Sequence, residues 1–193
     1  MKTTFSRGIT LVELMVVLLV LGVIAAVAAP SFADMLERRR VQAVAADISA
    51  DLAFTRQEAQ MRSNTLYMQF QQGSGFSCYT IYVWGGVGTC NCTLTGNACP
   101  APNTNVEVKT VRLPMSKNVS FFPQNFTPSA RVPYPLVSII KPKMAFSPTN
   151  FFVTVSGSRG ATLNVGLLDS ADNNSRIVVC TPNHSVSGAP PCP

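Results

Sequence analysis

Few side chains in this sequence are suited to chemistry, and their spacing says which kind. There is one histidine, His184, and there are six cysteines: Cys78, Cys90, Cys92, Cys99, Cys180 and Cys192. A lone histidine leaves no pair for metal-assisted hydrolysis and no Ser/His/Asp set with convincing local context. The cysteines lack the Cys-x2-Cys spacing of a zinc site. An even set in a chain only 12% charged reads instead as a disulfide framework. Cys180 and Cys192, flanked by Pro182, Pro190 and Pro191, are expected to staple the C-terminal tail. Cys78, Cys90, Cys92 and Cys99 would form two more bridges of open pairing, with Cys90–Cys92 disfavoured because one intervening residue strains the link. The run Asp169-Ser170-Ala171-Asp172-Asn173-Asn174 lacks the glycine and closing glutamate of a calcium loop and reads as a turn. No enzyme, metal, cofactor or small-molecule substrate is expected.

The remaining chemistry is at the N-terminus. Lys2 and Arg7 precede Gly8, and Ile9-Thr10-Leu11-Val12-Glu13 leads into Leu14 to Ala29, sixteen residues without a charge. From Ile9 onward this is long enough to span a bilayer, for which about 20 residues suffice. A secretory signal or a plain anchor would account for the run but not for Glu13. A carboxylate within a spanning helix costs roughly 2.5–3.5 kcal/mol even on the lenient insertion scale, so it normally has a partner. Cleavage after Gly8 would create an amino terminus able to serve as that partner from a neighbouring chain.

Gly8-Ile9-Thr10-Leu11-Val12-Glu13, with the apolar stretch behind it, resembles the class III signal of type IV prepilins and secretion pseudopilins. The resemblance implies cleavage after Gly8 by a prepilin peptidase and methylation of Ile9, where phenylalanine or methionine is more usual. It makes Glu13 the family's fifth-position glutamate, pairing with a neighbouring subunit's amine. Gly22 and Pro30 fall where pilins keep a helix-softening glycine and proline. Ala50 to Arg62, with Leu52, Arg56 and Glu58-Ala59, resembles the helix end of the FimT/GspH branch of minor pilins and pseudopilins. Met144-Ala145-Phe146-Ser147-Pro148-Thr149-Asn150 resembles that branch's Phe-x-Pro-x-Gly turn, with Asn150 in place of glycine. Arg176-Ile177-Val178-Val179 resembles its last strand.

The implied organisation is a leader (1–8), a transmembrane and filament-core helix (9–30), its amphipathic continuation (31–64) and a disulfide-stapled β-rich head (65–193). Implied partners are the inner membrane before assembly, the prepilin peptidase, and other pilins through the N-terminal helix. The implied location is the bacterial inner membrane, single-pass with the head in the periplasm, and then a filament. The first expectation for function is a minor pilin that primes or caps assembly. The alternatives are a DNA-binding competence pilin and a GspH-like pseudopilin of a type II secretion system.

The elements that must position these residues are legible in hydrophobic periodicity. Val41, Ala45, Ile48, Leu52, Thr55 and Ala59 recur at alternating steps of four and three, an apolar stripe on a helix reaching about Asn64. Arg38, Arg39, Gln42, Asp47, Asp51, Arg56 and Gln57 occupy the opposite face, and Pro30 is expected to kink the rod. Beyond Asn64 the period becomes two. Leu66, Met68 and Phe70 alternate with Tyr67, Gln69 and Gln71; Tyr79, Ile81 and Val83 alternate with Thr80, Tyr82 and Trp84. Further strands are expected at Val106–Leu113, Val119–Phe122, Leu136–Ile140, Phe151–Ser156, Ala161–Leu168 and Arg176–Cys180. The fold class is α+β, a long N-terminal helix packed on a mainly antiparallel β-sheet head.

Of the net charge of +6, a balance of +5 is carried by the head, where eight Lys/Arg stand against three acids from Ser63 to Pro193. Solvated, scattered cations are the preferred reading. A diffuse DNA-contacting face would use Lys141, Lys143 and Arg159. The Gly-Arg-x-Arg-like tail of DNA-binding FimT-like proteins has no counterpart, since Thr181 to Pro193 holds no Arg or Lys. Arg38-Arg39-Arg40 follows the apolar run and Lys2 and Arg7 precede it, so flanking charge does not decide orientation.

Overall fold

The computed structural model describes residues 10–62, 64–124, 136–140, 145–147, 151–168 and 175–193. It comprises two compact units, residues 1–36 and 37–193. One helix, α1 (Leu11–Met61), contributes to both and holds Pro30 in its interior. Pro30 cannot donate the intrahelical bond toward the Ala26 carbonyl, yet the residues on both sides remain helical. In the first unit the large apolar side chains of α1 are exposed, Leu11 at 74% and Ile24 at 58%. This apolar stretch is long enough to cross a membrane.

The second unit begins at Glu37 with the remainder of α1. Its described strands are β1 (Leu66–Gly73), β2 (Phe76–Val83), β3 (Val106–Pro114), β4 (Val119–Gln124), β5 (Leu136–Ile140), β6 (Ala145–Ser147), β7 (Phe151–Gly157), β8 (Thr162–Leu168) and β9 (Arg176–Cys180). They form two antiparallel sheets, ordered β3-β2-β1-β5-β6 and β4-β7-β8-β9. The helix stripe read from the sequence is the core stripe, with Val41, Ala45 and Ala59 at 0% exposure and Ile48 and Leu52 at 1%. It packs in one cluster with Leu66, Met68, Phe70, Tyr79 and Ile81 of the first sheet and Phe121, Val153, Val165 and Leu167 of the second. Each large side chain buried this way contributes roughly 1.5–3 kcal/mol.

The strands fall close to their expected positions. α1 ends at Met61 rather than about Asn64, and β6 lies in a segment expected to turn. Two residues assigned to the solvent face of α1 need correction. Asp51 is buried at 7% exposure: the Tyr79 hydroxyl donates to its Oδ2 at 2.6 Å and Lys109 Nζ to its Oδ1 at 2.6 Å. Arg56 is half-buried, its guanidinium 4.4 Å from the Phe146 ring centroid and donating to the Ser175 carbonyl. A charge on an amphipathic helix is tolerated inside when it is paired or saturated with hydrogen bonds, and periodicity does not register that.

The outer face of the first sheet also differs from its sequence pattern. Gln69, Gln71, Thr80 and Tyr82 alternate with the core residues as solvent-facing positions would, yet all four are buried. The segment Trp84 to Asn105 covers them, tied to β2 by Cys78–Cys92 and closed within itself by Cys90–Cys99. Gln71 Oε1 accepts the Cys92 amide at 2.7 Å, and Arg112 donates to the carbonyls of Cys92 and Leu94 at 2.8 and 2.6 Å.

Burial, together with the Asp51 carboxylate, raises the Tyr79 phenol above its ordinary pKa, and burial raises that of Tyr82. A phenol whose folded pKa exceeds the unfolded value of about 10 favours the fold fully below pH 10 and loses that contribution above it. The melting temperature is therefore expected to fall as pH rises past about 10, and Tyr79→Phe should make that fall shallower. Parallel melting curves of both proteins from pH 8 to 11 check this; an identical alkaline decline would remove Tyr79 as its source.

Candidate functional site

Gly8 and Ile9, the expected processing residues, lie outside the described residues. The described chain starts at Thr10, whose side-chain oxygen accepts the Glu13 amide at 3.2 Å while its carbonyl accepts the Leu14 amide at 3.1 Å. Thr10 is thus the N-cap of α1 and Glu13 its third residue. Thr10-x-x-Glu13 has the capping-box spacing, a local signal that the charge argument for Glu13 passes over. The position suits a carboxylate, because the first turn of a helix carries partial positive charge. Glu13 makes no ion pair with another described residue. The arrangement offers one carboxylate, on a residue whose backbone amide is capped by Thr10, at the head of a long apolar helix.

A second carboxylate is built in differently. Glu37 lies one turn before Val41 on the core stripe and is 5% exposed. The β7–β8 hairpin closes around it: the Arg159 amide donates to both carboxylate oxygens at 2.7 and 2.9 Å, and the Ser158 hydroxyl to Oε2 at 3.0 Å. Gly160 takes φ +94° in this turn, and a Cβ on Gly157 would overlap the Glu37 carboxylate. The sequence reading missed this role, although extending the stripe back by four residues lands on Glu37. A charge on a core stripe signals a partner.

The cysteines pair as Cys78–Cys92, Cys90–Cys99 and Cys180–Cys192. The last closes the C-terminal tail against β8, where Thr181 bridges Pro191 and the Ser185 hydroxyl accepts the Thr162 amide at 2.8 Å. His184 is exposed on that tail in the left-handed conformation, φ 54°. Of the cations considered for DNA contact, Lys141 and Lys143 lie outside the described residues, and Arg159 sits in the hairpin that holds Glu37. Asp169 to Asn174, considered for calcium, also lies outside them. Among the described residues no three His, Cys, Asp or Glu side chains cluster as metal ligands would.

Residues 4–29 match the prokaryotic N-terminal methylation motif, the signal of type IV pilins and pseudopilins. The match spans Gly8, Glu13 and the apolar run, and it supports a pilin-like or pseudopilin protein. No curated protein and no solved structure matches the chain.

Proposed function

We propose that this chain is a minor pilin, a structural subunit that helps prime or cap a type IV pilus. The observation that carries the proposal is Glu13, set at the head of an uncharged helix within the methylation motif and joined through α1 to a disulfide-bonded head. Cleavage after Gly8 makes Ile9 the first residue, and its amine becomes the cation that Glu13 of an adjoining subunit meets. Inside an apolar bundle an unmatched carboxylate is expensive, so axial positions that pair the two charges are selected over those that do not. The helix from Glu37 holds the head, which meets neighbouring subunits and performs no reaction. The residues Leu52, Arg56 and Glu58-Ala59 favour the FimT/GspH-like branch, with the secretion pseudopilin as the second reading from the same residues.

Glu13→Val is expected to leave cleavage after Gly8 unchanged and to reduce recovery of the chain in sheared filaments by tenfold or more, on the order of 1.4 kcal/mol or above in the assembly equilibrium. Immunoblots of membrane and filament fractions read both steps. Undiminished incorporation would sink the proposed pairing.

A further inference from the structure

The second unit carries a cleft that neither Glu13 nor the core accounts for. It encloses about 520 Å³ beside α1, and every residue lining it falls within 37–193. One wall is α1 from Arg40 to Asp47. The other is the end of β3, the single helical turn Met115–Lys117 and the start of β4. A volume of this size is ordinary for a binding site, where roughly 300–1,000 Å³ is usual. The lining is sorted by type. Val44, Leu113 and Val119 form an apolar floor joined to the core, with Val119 at 2% exposure. Ala43 is exposed beside them, and its small side chain leaves that floor open. Ser116 adds an exposed hydroxyl at the rim.

Arg40 and Asp47 stand at the two ends of the helical wall, both exposed. They are nearly two turns apart, on one side of the helix and about 10.5 Å along it. Among the described residues neither side chain takes part in an ion pair or a hydrogen bond. A groove with a cation at one end, an acid at the other and apolar ground between has a defined complement. A polyproline II strand has three residues per turn and rises 3.1 Å for each, so side chains three apart share one side at about 9 Å. The reach of a lysine or glutamate covers the remainder. A helix, 10–12 Å across with its side chains, is far broader than such a strand. From Ser63 to Pro193 no acid stands three residues from a base, so a second copy of this head does not supply the complement.

We propose that this cleft docks an extended segment of a different protein, one that carries an acid and a base three residues apart. The acid meets Arg40, whose planar fork suits a carboxylate, and the base meets Asp47. The apolar residues between them rest on Val44, Leu113 and Val119, and the Ser116 hydroxyl is placed to bond the segment's backbone. Matched charges at both ends select the partner and its register, while the floor supplies the buried apolar contact. The cleft belongs to the head alone and does not depend on the role given to Glu13.

The test titrates the capped peptide acetyl-Lys-Pro-Leu-Glu-amide into the isotope-labelled full chain in detergent micelles and follows amide chemical shifts. Saturable shifts are expected at Val44, Ser116 and Val119. Arg40→Gln and Asp47→Asn should each weaken binding about two- to fivefold, the range for an exposed ion pair. A probe with glutamine at both charged positions loses both pairs and should bind about four- to twentyfold more weakly. Arg40→Asp should reverse the preference, taking acetyl-Lys-Pro-Leu-Lys-amide over the original probe. Ala43→Trp fills the mouth of the cleft and should abolish binding, whereas Arg176→Gln, an exposed position on β9, should leave it unchanged. Circular dichroism of each variant verifies that the fold is intact. Absence of saturable shifts up to about 10 mM probe would overturn the docking cleft. So would equal affinity for the glutamine probe, binding retained by Ala43→Trp, or an unreversed preference in Arg40→Asp.

Discussion

Replacing Cys78 and Cys92 together with alanine is expected to destabilise the head by about 3 kcal/mol, the loop-closure contribution for a bridge of this span. The sequence separation is 14 residues, and the segment Trp84 to Asn105 beyond β2 carries no regular strand or helix of its own. Without the bridge, Trp84 to Asn105, closed within itself by Cys90–Cys99, is held to the sheet only by a short hydrophobic contact set and hydrogen bonds such as Gln71 to Cys92 and Arg112 to Leu94. When the loop lifts, water reaches Gln69, Gln71 and Tyr82. Gln69 accepts the Tyr82 hydroxyl at 3.1 Å, so near-ultraviolet circular dichroism of the tyrosines should fall along with stability. Urea unfolding of the full chain in detergent provides the measurement. A midpoint shift worth less than about 0.5 kcal/mol would show that the polar contacts alone hold the loop.

Glu37→Ala should lower stability by roughly 2–4 kcal/mol, because several buried donors lose their acceptor at once. The Arg159 amide contacts both carboxylate oxygens, the Ser158 hydroxyl contacts one, and the Ala161 amide lies at 3.5 Å from Oε1. Alanine leaves these groups in a pocket of the carboxylate's shape. Glutamine keeps one acceptor oxygen and should recover about half of the loss. Gly157→Ala tests the same packing from the other side, since its Cβ would enter the space of the carboxylate. Amide hydrogen exchange localises the effect: Arg159 is expected to exchange far faster in Glu37→Ala, while amides of β1 and β2 slow or speed only with global stability. Unchanged Arg159 exchange would show that the hairpin holds its own shape without Glu37.

The contrast between what the sequence made legible and what it hid follows from the range over which each signal acts. The core stripe of α1 and the period-two strands are short-range patterns of apolar side chains, so Val41 through Ala59 and Leu66 through Phe70 could be placed from spacing alone. The methylation motif is also local, one continuous run over residues 4–29. Asp51, Arg56 and Glu37 were hidden because their partners come from elsewhere in the chain: Tyr79 and Lys109, Ser175 and Phe146, and the β7–β8 hairpin. A charged residue on a helix looks solvent-facing until the donor that neutralises it is known. Gln69 and Gln71 were obscured in the same way, since alternation marks two faces of a strand but cannot say that a cystine loop covers the second. The division of nine described strands into two sheets likewise depends on pairings across the chain, β1 with β5 among them.

The order of the cystines has a consequence for how the head is made. Cys78 bonds Cys92 and Cys90 bonds Cys99, so the two links interlace along the chain. On the proposed minor-pilin reading the head is threaded out of the cytoplasm and presents these thiols one after another, and oxidation in order of arrival would join Cys78 to Cys90 and Cys92 to Cys99. Reaching the interlaced arrangement then requires a thiolate to attack a bond already made and trade partners through a mixed disulfide. Maturation of this head would accordingly depend on an exchange catalyst as well as an oxidant, and its supply would be set by the rate of reshuffling.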